Sequence, residues 1–400
     1  MNARWTSALP LAVLLALGAG CRQSVEPTPP AEVRPGGDPQ KPGPSNASAV
    51  AQESETPILA DDCPAAPPLA GEMVLQAAAA IPLKTGLTLA TSWHRTTQND
   101  DVECLTQIHD VDGGMVSATA KCSMSTGSQG GTRRTCRTDL RSAYMYYTGA
   151  GDEKAVLRGT TMFSLSQQSF AELKSTGRTR HRFVSVSDGA IIGDIDGALE
   201  RQSIGTLSTI VNDRPIDVPV VRAAGTLRGT AMGKPVQTRV IASIVDDDRF
   251  PLVLDYSMPD LGAAGFSVRY TKISFPTDGQ LERQLEAQQR VDVYGIYFDV
   301  NSARLRSESE PVLREIAAAL QNNPSWQLAI DGHTDAAGTA AANLDLSRRR
   351  AEAVRGALVD QYRIDATRLS AEGHGATVPR STNDTADGRA RNRRVELVRR

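Results

Sequence analysis

The feature of this chain that most limits its fold is a strand, loop and helix pattern near the C-terminus. An apolar run that ends at Asp331 predicts a strand, the polar stretch with Gly338 predicts a loop, and residues 341–360 predict a helix. Asp335 lies in the loop, and Arg350 lies fifteen positions later, about four helical turns or fewer. Such a pair at one cleft suits a zwitterionic α-amino acid group, because the carboxylate takes the ammonium and the planar guanidinium takes the carboxylate.

Four sequence motifs follow one another around this pattern: Tyr294–Asp299, Gly332–Asp335, Asn343–Ala351 and Gly388–Glu396. Through these motifs, residues 290–400 resemble the OmpA-like, peptidoglycan-binding domain. In that family the acid of the His-Thr-Asp motif and the arginine of the Arg-Ala motif hold the diaminopimelate of the cell-wall stem peptide. The resemblance implies that Asp335 and Arg350 have these roles here.

The resemblance also implies further contacts around the same pocket. They would come from two polar side chains, an apolar wall, the end of the opening strand and a second arginine: Thr334, Asn343, Leu346, Phe298, Asp299 and Arg393. Taken alone, Asp335 would be an ordinary loop or helix-capping acid, and Arg350 an ordinary exposed helical residue. No second His or Cys lies at ligand spacing from His333, so we predict neither a metal nor another cofactor.

Strands and helices alternate in this region, which predicts a mixed sheet with helices on one face. The predicted elements are strand 291–298, helix 309–321, strand 327–331, helix 341–360 and strands 369–372 and 393–398. Apolar residues at helical spacing predict the buried faces of the two helices: Val312, Ile316, Leu320, Leu344, Ala351, Val354 and Leu358. The resemblance implies the same α/β sandwich. With a β-rich domain before it, the predicted fold class of the chain is α+β.

The N-terminus has the pattern of an export signal. Arg4 precedes an uncharged run rich in Ala and Leu, which predicts a signal peptide at residues 1–20 that is too short for a stable membrane span. Small residues before Cys21 resemble a lipoprotein signal and imply that Cys21 is lipidated. Arg22 in place of Asp implies the outer membrane, with the chain facing the periplasm. The alternative is an ordinary cleaved signal followed by a free Cys.

Residues 21–69 are rich in Pro, Gly, Ser and Glu, and this composition predicts a flexible linker. Beyond Cys21 the chain has an even number of cysteines, which in the periplasm predicts two disulfides. Three pairings are open for these four residues: Cys63, Cys104, Cys122 and Cys136.

Residues 70–278 combine short β-branched runs with Gly and Asp clusters, which predicts a β-rich soluble domain, either a sandwich or barrel-like. Strands embedded in a membrane need aromatic girdles, and an aromatic content of 4% argues against them. One helix is predicted at Ser166–Lys174, and a slip in the alternation predicts a β-bulge near Thr271 and Lys272. Residues 279–289 predict a connecting helix.

Composition and motifs narrow the function. The formal net charge of −2 over 400 residues gives no field that would attract nucleic acid. Neither Gly-x-Ser-x-Gly nor His-Glu-x-x-His occurs, so an enzyme is not predicted. The main hypothesis is peptidoglycan binding by a lipid-anchored protein that tethers the outer membrane to the cell wall. The alternatives are a wall-modifying enzyme or an envelope-complex adaptor that uses the β-rich domain, and a homodimer also stays open.

Overall fold

The computed structural model describes residues 59–60, 63–64, 81–95, 98–111, 114–124, 127–150, 156–187, 190–261, 265–277 and 279–400. The predicted signal peptide, the lipidation site at Cys21 and most of the predicted linker lie outside the described residues.

The chain up to Ser274 is dominated by antiparallel strands. These strands are β1 (Leu59–Ala60), β2 (Thr88–Arg95), β3 (Gln98–Asp110), β4 (Met115–Met124), β5 (Gly127–Cys136), β6 (Met145–Ala150), β7 (Val156–Leu157), β8 (Thr160–Thr161), β9 (Arg178–Ser187), β10 (Ala190–Val211), β11 (Arg214–Ala231), β12 (Lys234–Val245), β13 (Val253–Met258) and β14 (Phe266–Ser274). Two helices interrupt them, α1 (Arg137–Ser142) and α2 (Gln167–Thr176). We call this part the β-rich region.

Twelve of these strands form one sheet, in the spatial order β5-β4-β3-β2-β14-β13-β12-β11-β10-β9-β6-β8. The end of β10 also pairs in parallel with β14, which brings distant strands of the same sheet together. The predicted bulge is confirmed, because the register of β14 against β2 shifts between Tyr270 and Lys272. Because of this bulge, the side chains of β14 change from one face of the sheet to the other at Lys272, a residue that contacts the C-terminal part of the chain.

The predicted helix in this region is confirmed as α2. The hydroxyl of Ser166 accepts a hydrogen bond from the backbone N–H of Ser169 and caps the helix, and Gly177 ends it at a φ of 80°. Phe170 and Leu173 are both fully buried on one face. The apolar spacing of these two residues was readable in the sequence.

The two predicted disulfides are formed. Cys63 bonds Cys136, and Cys104 bonds Cys122. Cys104 and Cys122 stand directly opposite each other on β3 and β4, so the second bond crosslinks this hairpin. The pairing depends on strand register, which is why spacing alone could not choose among the three connectivities.

The C-terminal region begins at residue 279 and alternates helices with strands. Its elements are α3 (Gln280–Gln288), β15 (Arg290–Val293), α4 (Glu310–Asn322), β16 (Leu328–His333), α5 (Ala340–Asp360), β17 (Leu369–Gly375), α6 (Ala386–Asn392) and β18 (Val395–Arg399). The sheet order is β15-β18-β16-β17, and β16 with β17 is the parallel pair. The predicted mixed sheet is confirmed. Within the described residues, no helix is long and apolar enough to cross a membrane.

Helices α4 and α5 pack their apolar faces on this sheet. Ile316, Ile330, Val354 and Leu358 have no exposed surface. The prediction that Leu344 also faces inward is wrong, because its side chain is 52% exposed. The buried positions of α5 start from Asn343 and recur every three or four residues, and Leu344 lies about 100° away from that line.

The predicted strand 291–298 is too long, because β15 ends at Val293. The reason is a contact with the β-rich region that the local sequence does not reveal. The carboxylate of Asp213 accepts hydrogen bonds from the backbone N–H groups of Tyr294 (2.5 Å) and Gly295 (3.3 Å). These two N–H groups therefore donate to Asp213 and not to a neighbouring strand, so the strand does not continue.

Asp213 lies in the two-residue turn between β10 and β11, where Asn212 and Asp213 have φ values of 44° and 64°. Both angles are in the left-handed region, which Asn and Asp tolerate better than most residues. Burial raises the pKa of Asp213 from 3.8 to about 6, although its two backbone hydrogen bonds act in the opposite direction. The turn thus joins the two regions through a carboxylate that is costly to ionise.

The first prediction concerns this turn. Asp213→Asn keeps an oxygen acceptor and the left-handed backbone but removes the buried charge, so we expect a melting temperature equal to or above that of the wild type. Because the folded pKa exceeds the unfolded value, the wild type loses stability relative to the variant as pH rises from about 4 to about 6, and the difference is constant above that. Thermal unfolding as a function of pH measures this.

Asp213→Ala is the contrasting variant. It loses both acceptor contacts, each worth on the order of 1 kcal/mol, and puts alanine in a left-handed position. We expect a lower melting temperature at every pH. Equal behaviour of the Asn and Ala variants would contradict the assigned role.

Candidate functional site

The helix with Arg350 lies unusually close to the sheet. A Cβ atom on Gly332 of β16 would lie 2.2 Å from the carbonyl oxygen of Ser347, and one on Gly373 of β17 would lie 2.2 Å from the backbone nitrogen of Arg348. Only glycine allows this approach. The contact fixes how deep α5 sits, and therefore where Arg350 lies relative to the loop that follows β16.

That loop is held in shape by its own polar groups. The side-chain amide of Asn343 donates to the carbonyl oxygens of Asp335 (3.2 Å) and Ala337 (2.9 Å). The backbone N–H of Ala337 donates to Oδ1 of Asp335 at 3.0 Å. Asn343, predicted to line the site, is therefore buried and directed at the loop backbone. It positions Asp335.

Asp335 has an arginine partner, and it is Arg393. Nη1 of Arg393 donates to Oδ2 of Asp335 at 2.8 Å. Arg393 directly follows α6, a helix that our sequence analysis missed. The available signal was Thr385, whose hydroxyl caps α6 by accepting from the backbone N–H of Gly388. Arg393, predicted near the site, is thus in contact with the predicted acid.

Arg350 is oriented from two other directions. Its Nε–H donates to the carbonyl oxygen of Ser302 at 3.0 Å, and its guanidinium lies 4.9 Å from the ring centre of Phe298. A cation over an aromatic face is stabilised by the ring quadrupole. Asp299 at the same rim pairs with Arg304. The hydrogen bond and the ring fix the plane of the Arg350 guanidinium.

Asp335 and Arg350 belong to one electrostatic environment. Burial lowers the pKa of Arg350 to about 10; Glu103 and Asp335 act to raise it, and Arg393 acts to lower it. Burial likewise lowers the pKa of Lys272 to about 8. Several desolvated cations thus crowd the same space, and such a space attracts anions.

The two remaining predicted residues differ in environment. Thr334 is buried, and its Oγ1 has no hydrogen-bond partner within the part of the chain that the structure describes. Its backbone N–H donates to the carbonyl oxygen of Gly375 at 2.9 Å. Leu346 is half-buried on α5, one turn before Arg350.

Two residues of the β-rich region were not predicted for this site. Glu103 on β3 and Lys272 on β14 line a cavity of about 50 Å³ together with Phe298, Arg350 and Arg393. Oε2 of Glu103 lies 3.4 Å from Nη2 of Arg393. Nζ of Lys272 donates to the carbonyl oxygen of Arg393 at 3.4 Å. The site is therefore built from both regions of the chain.

Comparison with known families fits this geometry. The sequence profile of the OmpA family matches residues 297–393, a range that includes both arginines and Asp335. Residues 297–393 form an OmpA family domain.

The relatives of this OmpA family domain include outer-membrane proteins and lipoproteins. Outer membrane porin F of Pseudomonas aeruginosa is 41% identical over 101 residues, which is 25% of this chain and 29% of that protein. The probable lipoprotein YiaD of Escherichia coli is 37% identical over 103 residues, 26% of this chain and 47% of that protein. The chain thus spans less than half the length of these two curated relatives.

Among solved structures, the peptidoglycan-associated lipoprotein from Burkholderia pseudomallei is 31% identical. The match covers 28% of this chain and 92% of that chain, with a TM-score of 0.25. Each of the three similarities covers between 25% and 28% of the present chain.

One group of side chains within the domain has ligand atoms suited to a cation. Asp331, Glu372 and His374 place a carboxylate or imidazole atom within 4.8 Å of one another. His374 stacks on the ring of His333 at 5.0 Å between centres, and its Nε2 lies 3.6 Å from Asp331. The ring stacking and the contact with Asp331 hold His374 in this group.

The second prediction concerns the close contact under α5. Gly332→Ala puts a methyl group against backbone that cannot move away, so we expect a loss of about 1–3 kcal/mol in the free energy of unfolding. The matched control is Gly356→Ala in the same helix, where no atom lies within 4 Å of the new Cβ. The control should gain up to about 1 kcal/mol from helix propensity. Chemical denaturation of both variants measures these changes, and a neutral Gly332 variant would contradict the packing argument.

Proposed function

We propose that the chain binds peptidoglycan non-covalently through the diaminopimelate of the stem peptide. The observation that carries the proposal is the oriented pair of charged groups in the OmpA family domain. Asp335 is fixed by Ala337 and Arg393, and Arg350 is fixed by Ser302 and Phe298. Groups whose orientation is set before binding lose little entropy on binding.

In this proposal the ammonium of the ligand binds Asp335. Its Oδ1 already accepts from the backbone of Ala337 and its Oδ2 from Arg393, and each oxygen has a further lone pair for a donor. The ligand carboxylate binds Arg350, whose terminal NH₂ groups present parallel donors to a planar anion. Each charge-assisted hydrogen bond contributes on the order of 1.5–3 kcal/mol.

Three neighbours support the ligand through weaker contacts. The hydroxyl of Thr334, without a protein partner in the described residues, is a donor and acceptor for the ligand. Leu346 supplies apolar surface for the methylene chain of diaminopimelate. Phe298 holds the guanidinium of Arg350 in place.

This arrangement predicts a preference between wall types. Diaminopimelate ends in both an ammonium and a carboxylate, whereas lysine at the same position of a stem peptide ends in an ammonium alone. In the lysine wall Arg350 would have no ligand anion to bind, and its desolvated charge would gain no compensation from the ligand, which is unfavourable. Binding should therefore be stronger to the diaminopimelate wall.

Anchoring in the outer membrane is the second part of the proposal. Lipidated Cys21 would hold the chain at the membrane. Of the linker predicted at residues 21–69, the part before β1 and the Cys63–Cys136 disulfide would span the distance to the wall, because β1 and Cys63 are attached to the β-rich region. A linker of that composition and about forty residues has a mean reach of about 35 Å as a coil. The residue ranges predicted for the signal, the linker and the β-rich domain are part of this proposal.

The third prediction tests the wall contact. Asp335→Ala and Arg350→Ala should each reduce retention of the full chain on insoluble diaminopimelate peptidoglycan by at least tenfold, since each removes one charge-assisted contact. The matched control is Arg349→Ala, the neighbouring arginine on α5, which is 46% exposed and pairs with Asp345. We expect wild-type retention for this control in a sedimentation assay. Unchanged retention in both site variants would refute the proposal.

The fourth prediction tests the anchor. Cys21→Ser removes the atom that would carry the lipid, so the full chain should move from the membrane fraction to the soluble periplasmic fraction. Fractionation of cells and labelling with a radioactive fatty acid measure this. Persistence of Cys21→Ser in washed membranes of a strain whose peptidoglycan has been digested would count against a lipid anchor.

A further inference from the structure

The OmpA family domain is covered at its site by the β3–β4 hairpin of the β-rich region. The backbone N–H of Val300 donates to Oγ of Ser123 at 3.1 Å, and Nη2 of Arg306 donates to the carbonyl oxygen of Lys121 at 3.1 Å. Tyr297, directly before Phe298, is buried in a small apolar cluster with Leu105 of β3 and Ala90 of β2. The hairpin thus contacts the segment that also holds Arg350.

The hairpin places one carboxylate among the cations of the site. Glu103 stands opposite Ser123 on the hairpin and lies 3.4 Å from Arg393. Burial acts to raise the pKa of Glu103, but Lys272, Arg393 and Arg350 outweigh burial, and the pKa is lower than its usual value. Glu103 is therefore an anion, and it faces the same arginine that contacts Asp335.

The space beside Glu103 is too small for the proposed ligand. The cavity that Glu103 shares with Arg350, Arg393 and Lys272 has a volume of about 50 Å³, which holds a few water molecules. An amino-acid end with its ammonium, carboxylate and attached chain needs more room than that. A ligand carboxylate that approached Arg350 would also meet the negative charge of Glu103.

We propose that Glu103 acts as an internal competitor for the anion subsite, with the β3–β4 hairpin as a cover that withdraws when the wall binds. This inference rests on the proposed function, because it assigns regulation to the same site. In the free protein, the β-rich region of the same chain occupies the surface around Arg393.

The contacts that hold the cover are compatible with release. The hairpin is held by the hydrogen bonds of Ser123 and Lys121 and by the ion pair of Glu103 with Arg393, whose side chains are 30% and 27% exposed. Ion pairs near the surface contribute about 0–1 kcal/mol each. The Cys104–Cys122 disulfide joins the two strands beside Glu103, and β3 is paired with β2 along its length, so the hairpin withdraws together with the rest of the β-rich sheet.

The fifth prediction tests the competition on the full chain with a soluble muropeptide that contains diaminopimelate. Glu103→Gln keeps the size of the side chain and removes its charge, so affinity measured by calorimetry should rise about tenfold. The matched control is Glu200→Gln, which removes an acid of the same region that is 58% exposed and pairs with Arg178. Its affinity should equal that of the wild type. Adding Arg350→Ala to Glu103→Gln should abolish the gain.

The outcomes separate the inference from the proposed function. If Arg350→Ala weakens binding while Glu103→Gln binds like the wild type or more weakly, the site binds the wall and the competition is refuted. If no variant, including Glu103→Gln, binds the muropeptide, the proposed function fails, and the inference fails with it.

A second measurement reports on the cover itself. Hydrogen exchange of the backbone amide of Val300 in the wild-type full chain should become faster when the muropeptide is added, because this amide donates to Ser123 of the hairpin and loses that partner. Unchanged or slower exchange there would mean that the hairpin stays in place, and it would overturn the inference.

Discussion

The close approach of α5 to strands β16 and β17 is the constraint on which the site depends. It exists because Gly332 and Gly373 have no side chains at the two points where the backbone of α5 touches the sheet. A helix one methyl group farther away would carry Arg350 away from Phe298 and Ser302. The chemistry of the site is therefore set first by packing, and the charged groups act within the distances that packing leaves.

Burial of several cations in one place has a consequence for the whole chain. Arg350 and Lys272 both have pKa values lowered by burial, which means that the fold bears a cost for their charge. Asp335 and Glu103 offset part of that cost from two sides. Asp335 comes from within the OmpA family domain and Glu103 from the β-rich region. The contact between the two regions thus stabilises the cations of the free site electrostatically.

The sequence was most informative where local rules operate. The motif with Asp335 and Arg350 predicted a strand, a loop and a helix in the right places, and the alternation in β14 predicted its bulge. Leu344 was misjudged because one position on a helix turns a side chain by about 100°. The contact of Glu103 with Arg393 joins residues 290 positions apart, and no spacing rule reaches over such a separation.

Thermodynamic linkage connects the cover to the affinity of the site. If the ligand displaces Glu103, then the free energy that Glu103 contributes to docking of the two regions is subtracted from the free energy of wall binding. The same coupling works in the other direction, so a bound wall weakens the attachment of the β-rich region to the OmpA family domain. A chain held at the membrane and at the wall would then expose the hairpin with Glu103 and the disulfide only when attached. Wall binding by the OmpA family domain would in this way change which surface of the β-rich region is exposed, although the β-rich region does not touch the wall.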